Sequence, residues 1–250
     1  MTYCVGLKLN RGLVFMSDTR TNAGVDNISV FRKMFHWDDA GARCITIMTA
    51  GNLATTQAVI SLLNERALPA EDHGSPSILE ASSMYQVAKL VGETLREVIR
   101  DQAGEEGQSA EAQFSATMIV GGQVKGGEPR LFLIYPEGNF VEAGDETPFF
   151  QIGETKYGKP IIVRAFDPEM SFEDAIKVSM LSFDSTLKAN LSVGLPLDLH
   201  VYEAESLRIG IQRRIEQSDA YFEDLSSGWG DALKSAVQAL PAFSLSKATD

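Results

Sequence analysis

The stretch Thr2-Tyr3-Cys4-Val5-Gly6-Leu7-Lys8-Leu9-Asn10-Arg11-Gly12-Leu13-Val14-Phe15-Met16-Ser17-Asp18-Thr19-Arg20 decides how the chain reads. Two apolar runs of strand length, residues 3–9 and 13–16, flank the turn signal Asn10-Arg11-Gly12, and this predicts a β-hairpin. In a tight hairpin turning near Arg11, cross-strand partners sum to roughly 21–23. Thr2 then lies opposite about 19–21 and close to Asp18. A sum of 22 places the side chains of Thr2 and Asp18 on one face, because strand side chains alternate. A hydroxyl beside a chain terminus is thus brought to a carboxylate at a strand end.

Outward from the hairpin, residues 22–29 are polar and turn-rich, and 30–37 read as a strand with Phe31, Lys33 and Phe35 on one face. A lysine between two aromatics is either an edge residue that snorkels or a buried lysine at a site. Residues 43–49 form a strand that ends at Ala50-Gly51-Asn52, with Asn52 capping a first helix whose stripe is Leu53, Thr56, Val59 or Ile60, and Leu63. A second helix is expected over 78–100 and a solvated, locally mobile connection over 101–113. Strands follow at 114–120, 130–135, 139–141 and 149–152, with turns at Gly121-Gly122 and Pro136-Glu137-Gly138. A third helix begins near Ser171-Phe172-Glu173-Asp174 and breaks at Ser192-Val193-Gly194-Leu195-Pro196, before a strand over 197–203. After Ser218 the tail is helical around 221–225 and 231–240 and frays at 244–250. Strands and helices in blocks, with no repeat and no dividing linker, predict one α+β domain.

With 250 residues and 44% apolar content the chain can bury a sizeable core. Net charge is −12, and the basic runs stop at pairs such as Arg32-Lys33 and Arg213-Arg214. A nucleic-acid partner is therefore not expected. The two cysteines, Cys4 and Cys44, sit in apolar segments and read as small buried residues, so neither a metal motif nor a disulfide framework is expected. No secretory leader and no apolar run approaching the ~20 residues of a membrane helix are visible. A soluble cytoplasmic protein without cofactor is the expectation. His36, His73 and His200 make no HExxH pair, and no G-x-S-x-G or P-loop occurs.

That leaves Thr2. A threonine hydroxyl is a weak nucleophile near neutral pH unless a base takes its proton. With Met1 removed, which a small second residue permits, the α-amine is that base, since its ordinary pKa of ~7.7–8.0 lies far nearer neutrality than that of lysine. Lys33 would lower the amine pKa and stabilise an alkoxide, Asp18 would hold Lys33, and the Gly51 N–H could face an oxyanion. Threonine is commonplace at position 2, and an aspartate at a strand end is often a turn cap. The joint pattern of Thr2, Asp18, Lys33 and Gly51 sets this chain apart.

That pattern resembles proteasome β-type subunits and HslV-type peptidases, members of the N-terminal nucleophile hydrolases. The matching stretches are 2–6, Gly12-Leu13-Val14-Phe15-Met16-Ser17-Asp18-Thr19-Arg20-Thr21-Asn22-Ala23-Gly24, Phe31-Arg32-Lys33-Met34 and Met48-Thr49-Ala50-Gly51-Asn52-Leu53-Ala54. The C-terminal extension and Gly153-Glu154-Thr155-Lys156-Tyr157-Gly158 look most like the bacterial ancestral β subunit. The resemblance implies a four-layer αββα sandwich over about 2–205, with a helical C-terminal extension over about 206–250. It implies a threonine peptidase acting on peptide or protein within a homo-oligomeric ring or ring-like stack, with Thr2 as nucleophile and base, Asp18 and Lys33 as charge partners and Gly51 as oxyanion donor. Ser192, in Ser192-Val193-Gly194, matches the family's Ser-Gly-Gly. Two departures stand out: Gly153-Glu154-Thr155-Lys156 where the family often has Gly-Ser-Gly-Gly, and Ala189 where an aspartate is expected. Two alternatives follow, a scaffold of the same fold with a weakened site and an amidase for a small or isopeptide substrate. No ATP-binding motif is present, so unfolding of a substrate would need a separate protein. The extension, apolar yet outside the sandwich, is expected to mediate subunit contacts.

Overall fold

The computed structural model describes residues 2–22, 28–68, 77–104 and 111–244. The expected mobile connection lies partly outside them, as do Met1, Pro69 and the last six residues of the tail.

Strands β1 (Tyr3–Leu9) and β2 (Gly12–Asp18) form the hairpin, and Gly12 closes it. Gly12 has φ +147°, and a Cβ there would stand 2.0 Å from the Tyr202 carbonyl oxygen, so no side chain fits. The register pairs Cys4 with Ser17 and Val5 with Met16, a sum of 21. Asp18 therefore stands opposite Tyr3, one residue away from the register that would have given it the parity of Thr2.

The short strands β3 (Arg20–Asn22) and β4 (Ile28–Val30) pair in the region read as polar turn. β5 begins only at Met34 (Met34–Asp39), because residues 31–33 leave the sheet, and the Phe31 N–H bonds to the Thr19 carbonyl at 2.8 Å. β6 (Arg43–Gly51) leads into α1 (Leu53–Ala67), where the Asn52 side chain accepts from the Thr55 N–H. α2 (Met84–Ala103) starts six residues later than expected and ends three later. Its N-cap is Ser83, whose hydroxyl accepts from the Gln86 N–H.

β7 (Ala116–Val124) runs straight through Gly121-Gly122, the pair read as a turn. Those glycines serve close approach instead: a Cβ on Gly121 would meet the Phe15 ring at 2.7 Å, and one on Gly122 the Cys44 carbonyl at 2.0 Å. β8 (Arg130–Ile134), β9 (Phe140–Glu142) and β10 (Phe149–Gly153) follow. Then come α3 (Lys159–Ala165), α4 (Phe172–Ala189), β11 (Leu197–Glu203) and β12 (Ile211–Ile215). Neither α3 nor β12 was legible in the sequence.

The strands make two five-stranded antiparallel sheets, ordered β10-β1-β2-β11-β12 and β5-β6-β7-β8-β9. α1 and α2 cover the second sheet through Val59, Leu63, Val87, Val91 and Leu95, which meet Ile45, Ile47, Met118 and Val120. α4 lies against β1 and β2 on the outer face of the first sheet. Between the sheets Cys4, Leu13, Phe15, Met48, Ile119 and Leu131 form the inner core. The fold is thus the expected αββα sandwich. Both cysteines are buried, and burial pushes the Cys44 thiol up to about 12.

A polar link joins the two sheets. Thr46 on β6 bonds through its hydroxyl to His36 Nδ1 on β5 at 3.1 Å and to His200 Nδ1 on β11 at 2.9 Å. The two rings meet edge to face at 4.5 Å, and His200 Nε2 accepts from the Gly210 N–H at 3.2 Å.

A second compact unit begins at Ser218. It carries α5 (Ala220–Ala239), one continuous helix through Gly228 and Gly230 where two pieces were expected. Leu233, Val237 and Leu240 along and beyond it are exposed. Among the described residues no helix is long and apolar enough to cross a membrane.

Candidate active site

The amino-terminal end of β1 is fixed from two sides. Toward β2, the Tyr3 N–H donates to Asp18 Oδ1 at 3.0 Å. Toward β10, the Thr2 carbonyl accepts from the Glu154 N–H at 2.7 Å. The Tyr3 ring packs on Phe183 of α4 at 4.5 Å between centroids, and its hydroxyl bonds to Ser182 at 2.6 Å and to Gln151. Burial raises the Tyr3 phenol well above its ordinary value, so it stays a neutral anchor.

Asp18, the last residue of β2, is fully buried. The same Oδ1 that holds Tyr3 accepts from Lys33 Nζ at 2.7 Å, and that ammonium also donates to the Arg20 carbonyl at 2.6 Å. Lys33 is 4% exposed, which resolves the two readings of its aromatic flanks in favour of burial. Its backbone is tied down as well, because the Thr49 N–H bonds to the Lys33 carbonyl at 3.0 Å. Burial pushes the Asp18 carboxyl upward, while the charge and hydrogen bond of Lys33 and the amides of Tyr3 and Gly194 pull it down. Removing either partner of such a pair costs ~3–5 kcal/mol, because the other is left buried and uncompensated.

Thr2, Lys33, Gly51 and Gly153 line one cavity of about 510 Å³, with Thr21, Thr49 and Thr56 contributing further hydroxyl-bearing side chains. Gly51 has φ +113°, and a Cβ would stand 2.5 Å from the Ser115 carbonyl oxygen and 2.7 Å from Ala116 Cα, so only glycine fits. In a strand every second amide points to the same side. The Thr49 N–H points to Lys33, so the Gly51 N–H, two residues on, is directed past the start of β5.

Four of the five residues singled out from the sequence thus meet: Thr2, Lys33 and Gly51 around the cavity, and Asp18 beneath Lys33. Ser192 is not among the residues that line the cavity. It is half-buried in the turn after α4, and its N–H donates to Asn190 Oδ1 at 2.9 Å. Asp184 is buried and paired with Lys188 at 3.2 Å. The cavity threonines carry no pattern that marks them in the sequence. Among the described residues no group of three or more His, Cys, Asp or Glu side chains could hold a metal ion.

The proteasome subunit family model matches residues 2–194. The chain is 25% identical over 207 residues to a proteasome subunit beta 2 of Pyrobaculum calidifontis, covering 82% of this chain and 90% of that protein. Among solved structures, the Anbu (ancestral beta-subunit) protein of Yersinia bercovieri superposes with TM-score 0.90 at 46% identity, over 98% of this chain and 100% of that one. A Gly-1 mutant of Anbu from Hyphomicrobium sp. strain MC1 gives the same four values. The helical assembly of the Anbu complex from Pseudomonas aeruginosa gives TM-score 0.90 at 44% identity, over 98% and 99% of the two chains. The chain belongs to the proteasome subunit family, within its Anbu, or ancestral β-subunit, group.

Proposed function

We propose that the protein is a proteasome-type threonine peptidase whose nucleophile is Thr2, exposed as a free amino terminus by loss of Met1. The observation that carries this reading is the single cavity joining Thr2 to a lysine that is buried and clamped by Asp18 at 2.7 Å. The Thr2 α-amine takes the proton of its own hydroxyl, and the oxygen adds to the substrate carbonyl. Lys33 offsets the developing negative charge, and the Gly51 N–H donates to the tetrahedral oxyanion. Collapse breaks the C–N bond, the leaving amine takes the proton from the α-ammonium, and an ester on Thr2 remains. Water, deprotonated by the same amine, hydrolyses that ester. The substrate is a peptide or unfolded protein, and the working form is a homo-oligomer, a reading supported by the solved helical assembly of the Pseudomonas aeruginosa relative.

The test is intact-mass spectrometry before and after a peptide epoxyketone, a warhead that closes its ring only on a hydroxyl beside a free amine. Loss of Met1 with one adduct is expected, absent in Thr2→Ala and slowed at least ~100-fold in Lys33→Ala. Retained Met1, or a free Thr2 that never labels, refutes the peptidase. That outcome selects the scaffold reading, which one observation favours, the absence of Ser192 from the cavity lining.

A further inference from the structure

β10 runs along the other side of the terminus. Its register with β1 pairs Tyr3 with Gly153 and Cys4 with Ile152, so the next position opposite Thr2 is Glu154. The bond from the Glu154 N–H to the Thr2 carbonyl continues that ladder. In an antiparallel pair the N and O of one residue point toward the same neighbour, so the Thr2 nitrogen is turned to the Glu154 main chain as well. Gly153, at φ +82°, permits this approach, since a Cβ there would stand 1.9 Å from the Thr2 carbonyl oxygen.

The Glu154 side chain is not left to wander. Asn190, the C-cap residue of α4, donates from Nδ2 to Glu154 Oε2 at 3.0 Å. Asn190 is itself oriented, because its Oδ1 accepts from the Ser192 N–H at 2.9 Å. The carboxylate of the residue opposite Thr2 is thus held by Asn190 at the end of a helix thirty-six positions away.

We propose that Glu154, held by Asn190, is the counter-ion of the Thr2 α-ammonium, a positioning residue that orients the amine and sets the pH at which it can accept the hydroxyl proton. This rests on the reading of Thr2 as a free amino terminus. When the amine takes the hydroxyl proton it becomes an ammonium, and a neighbouring carboxylate stabilises that product, drawing the proton across. Lys33 faces the cavity with Asp18 behind it, Arg20 donates to the Leu191 carbonyl, and the Asp184–Lys188 pair lies on α4. Lys33 opposes charging of the amine and Glu154 favours it. The carboxylate therefore raises the amine pKa, and its removal lowers it.

The experiment follows epoxyketone labelling of the full chain against pH in wild type, Glu154→Gln and Asn190→Ala, with intact mass reporting Met1. Glu154→Gln keeps the length and an amide able to bond Asn190, so unchanged thermal unfolding is the check on folding. The acid limb of the rate is expected to move down by about one pH unit, with the plateau about tenfold lower. Asn190→Ala, which leaves the carboxylate untethered, moves both by less. A Glu154→Gln profile superimposed on wild type overturns the proposal and leaves the peptidase reading standing. If Thr2 is free but never labels, the peptidase reading falls alone. The amine is then titrated by its rate of acylation, and a value unmoved in Glu154→Gln overturns the counter-ion. Retention of Met1 removes both.

Discussion

Acidification of the His36–Thr46–His200 link, in which His36 is half-buried and His200 fully buried, predicts a specific loss of stability. His200 Nε2 accepts from the Gly210 amide, so the neutral ring carries its proton on Nδ1 and donates to the Thr46 hydroxyl. The hydroxyl then donates to His36 Nδ1, which places the His36 proton on Nε2. Each ring is thereby fixed in one neutral tautomer. Burial pushes His36 down to about 4, helped by Arg32 and opposed by Asp198, and pushes His200 down to about 3, helped by His36. Both values lie below the unfolded value of ~6.5. The stability they contribute is therefore complete above that value and is lost as pH falls through it toward the folded values. Between pH 7 and 5 the unfolded ring gains its proton and the folded ring does not, which costs about 2 kcal/mol for each histidine. That figure hardly depends on the folded value, because both folded values lie a unit or more below pH 5.

The variant His36→Asn retains a polar atom near the position of Nδ1 and cannot titrate. Urea unfolding at pH 7 and 5, at one protein concentration so that association is constant, is expected to show a drop about 2 kcal/mol smaller in the variant than in wild type. Asp18, whose carboxyl burial pushes up, acts in the opposite sense but is common to both proteins and cancels. Equal drops, within about 0.5 kcal/mol, refute the reasoning.

Gly51→Ala forces a Cβ against the Ser115 carbonyl in a backbone conformation costly for alanine. A loss of about 1–3 kcal/mol by denaturant titration is expected, together with epoxyketone labelling slowed more than the stability loss explains. Deletion of the unit from Ser218 onward removes α5, with its exposed Leu233 and Val237, and the exposed Leu240 that follows it. Light scattering is expected to show a smaller assembly with the Met1–Gln217 unit still folded by circular dichroism, and an unchanged assembly removes the extension from the interface.

What could be read in the sequence was local. The hairpin, the N-cap at Asn52 and the glycine at the end of β6 each depend on a few neighbouring residues, and each is in place. Lys33 was legible as odd but not as buried, because its burial needs the chain to leave the sheet at residues 31–33 and reach Asp18. Gly121-Gly122 misled because a glycine pair that admits a neighbouring ring or carbonyl looks the same in sequence as one that turns. β12 reads as a charged run, Gln212-Arg213-Arg214, since a solvent-facing edge strand owes its place to pairing with β11 rather than to alternation. The association of Glu154 with Asn190 was beyond reach, because it depends on the register of β10 against β1 and on where α4 ends.

The hold on Thr2 from both sides has a practical corollary for anyone preparing this protein. Thr2 is 9% exposed, with a neighbouring strand bonded to the chain on either flank. An affinity tag fused ahead of it would have to leave the fold beside Lys33 and Gly51, where it would plug the cavity they line. A tag at the other end joins the separate unit that follows Gln217 and leaves the amino terminus as it is. The choice of tag decides which protein is being assayed.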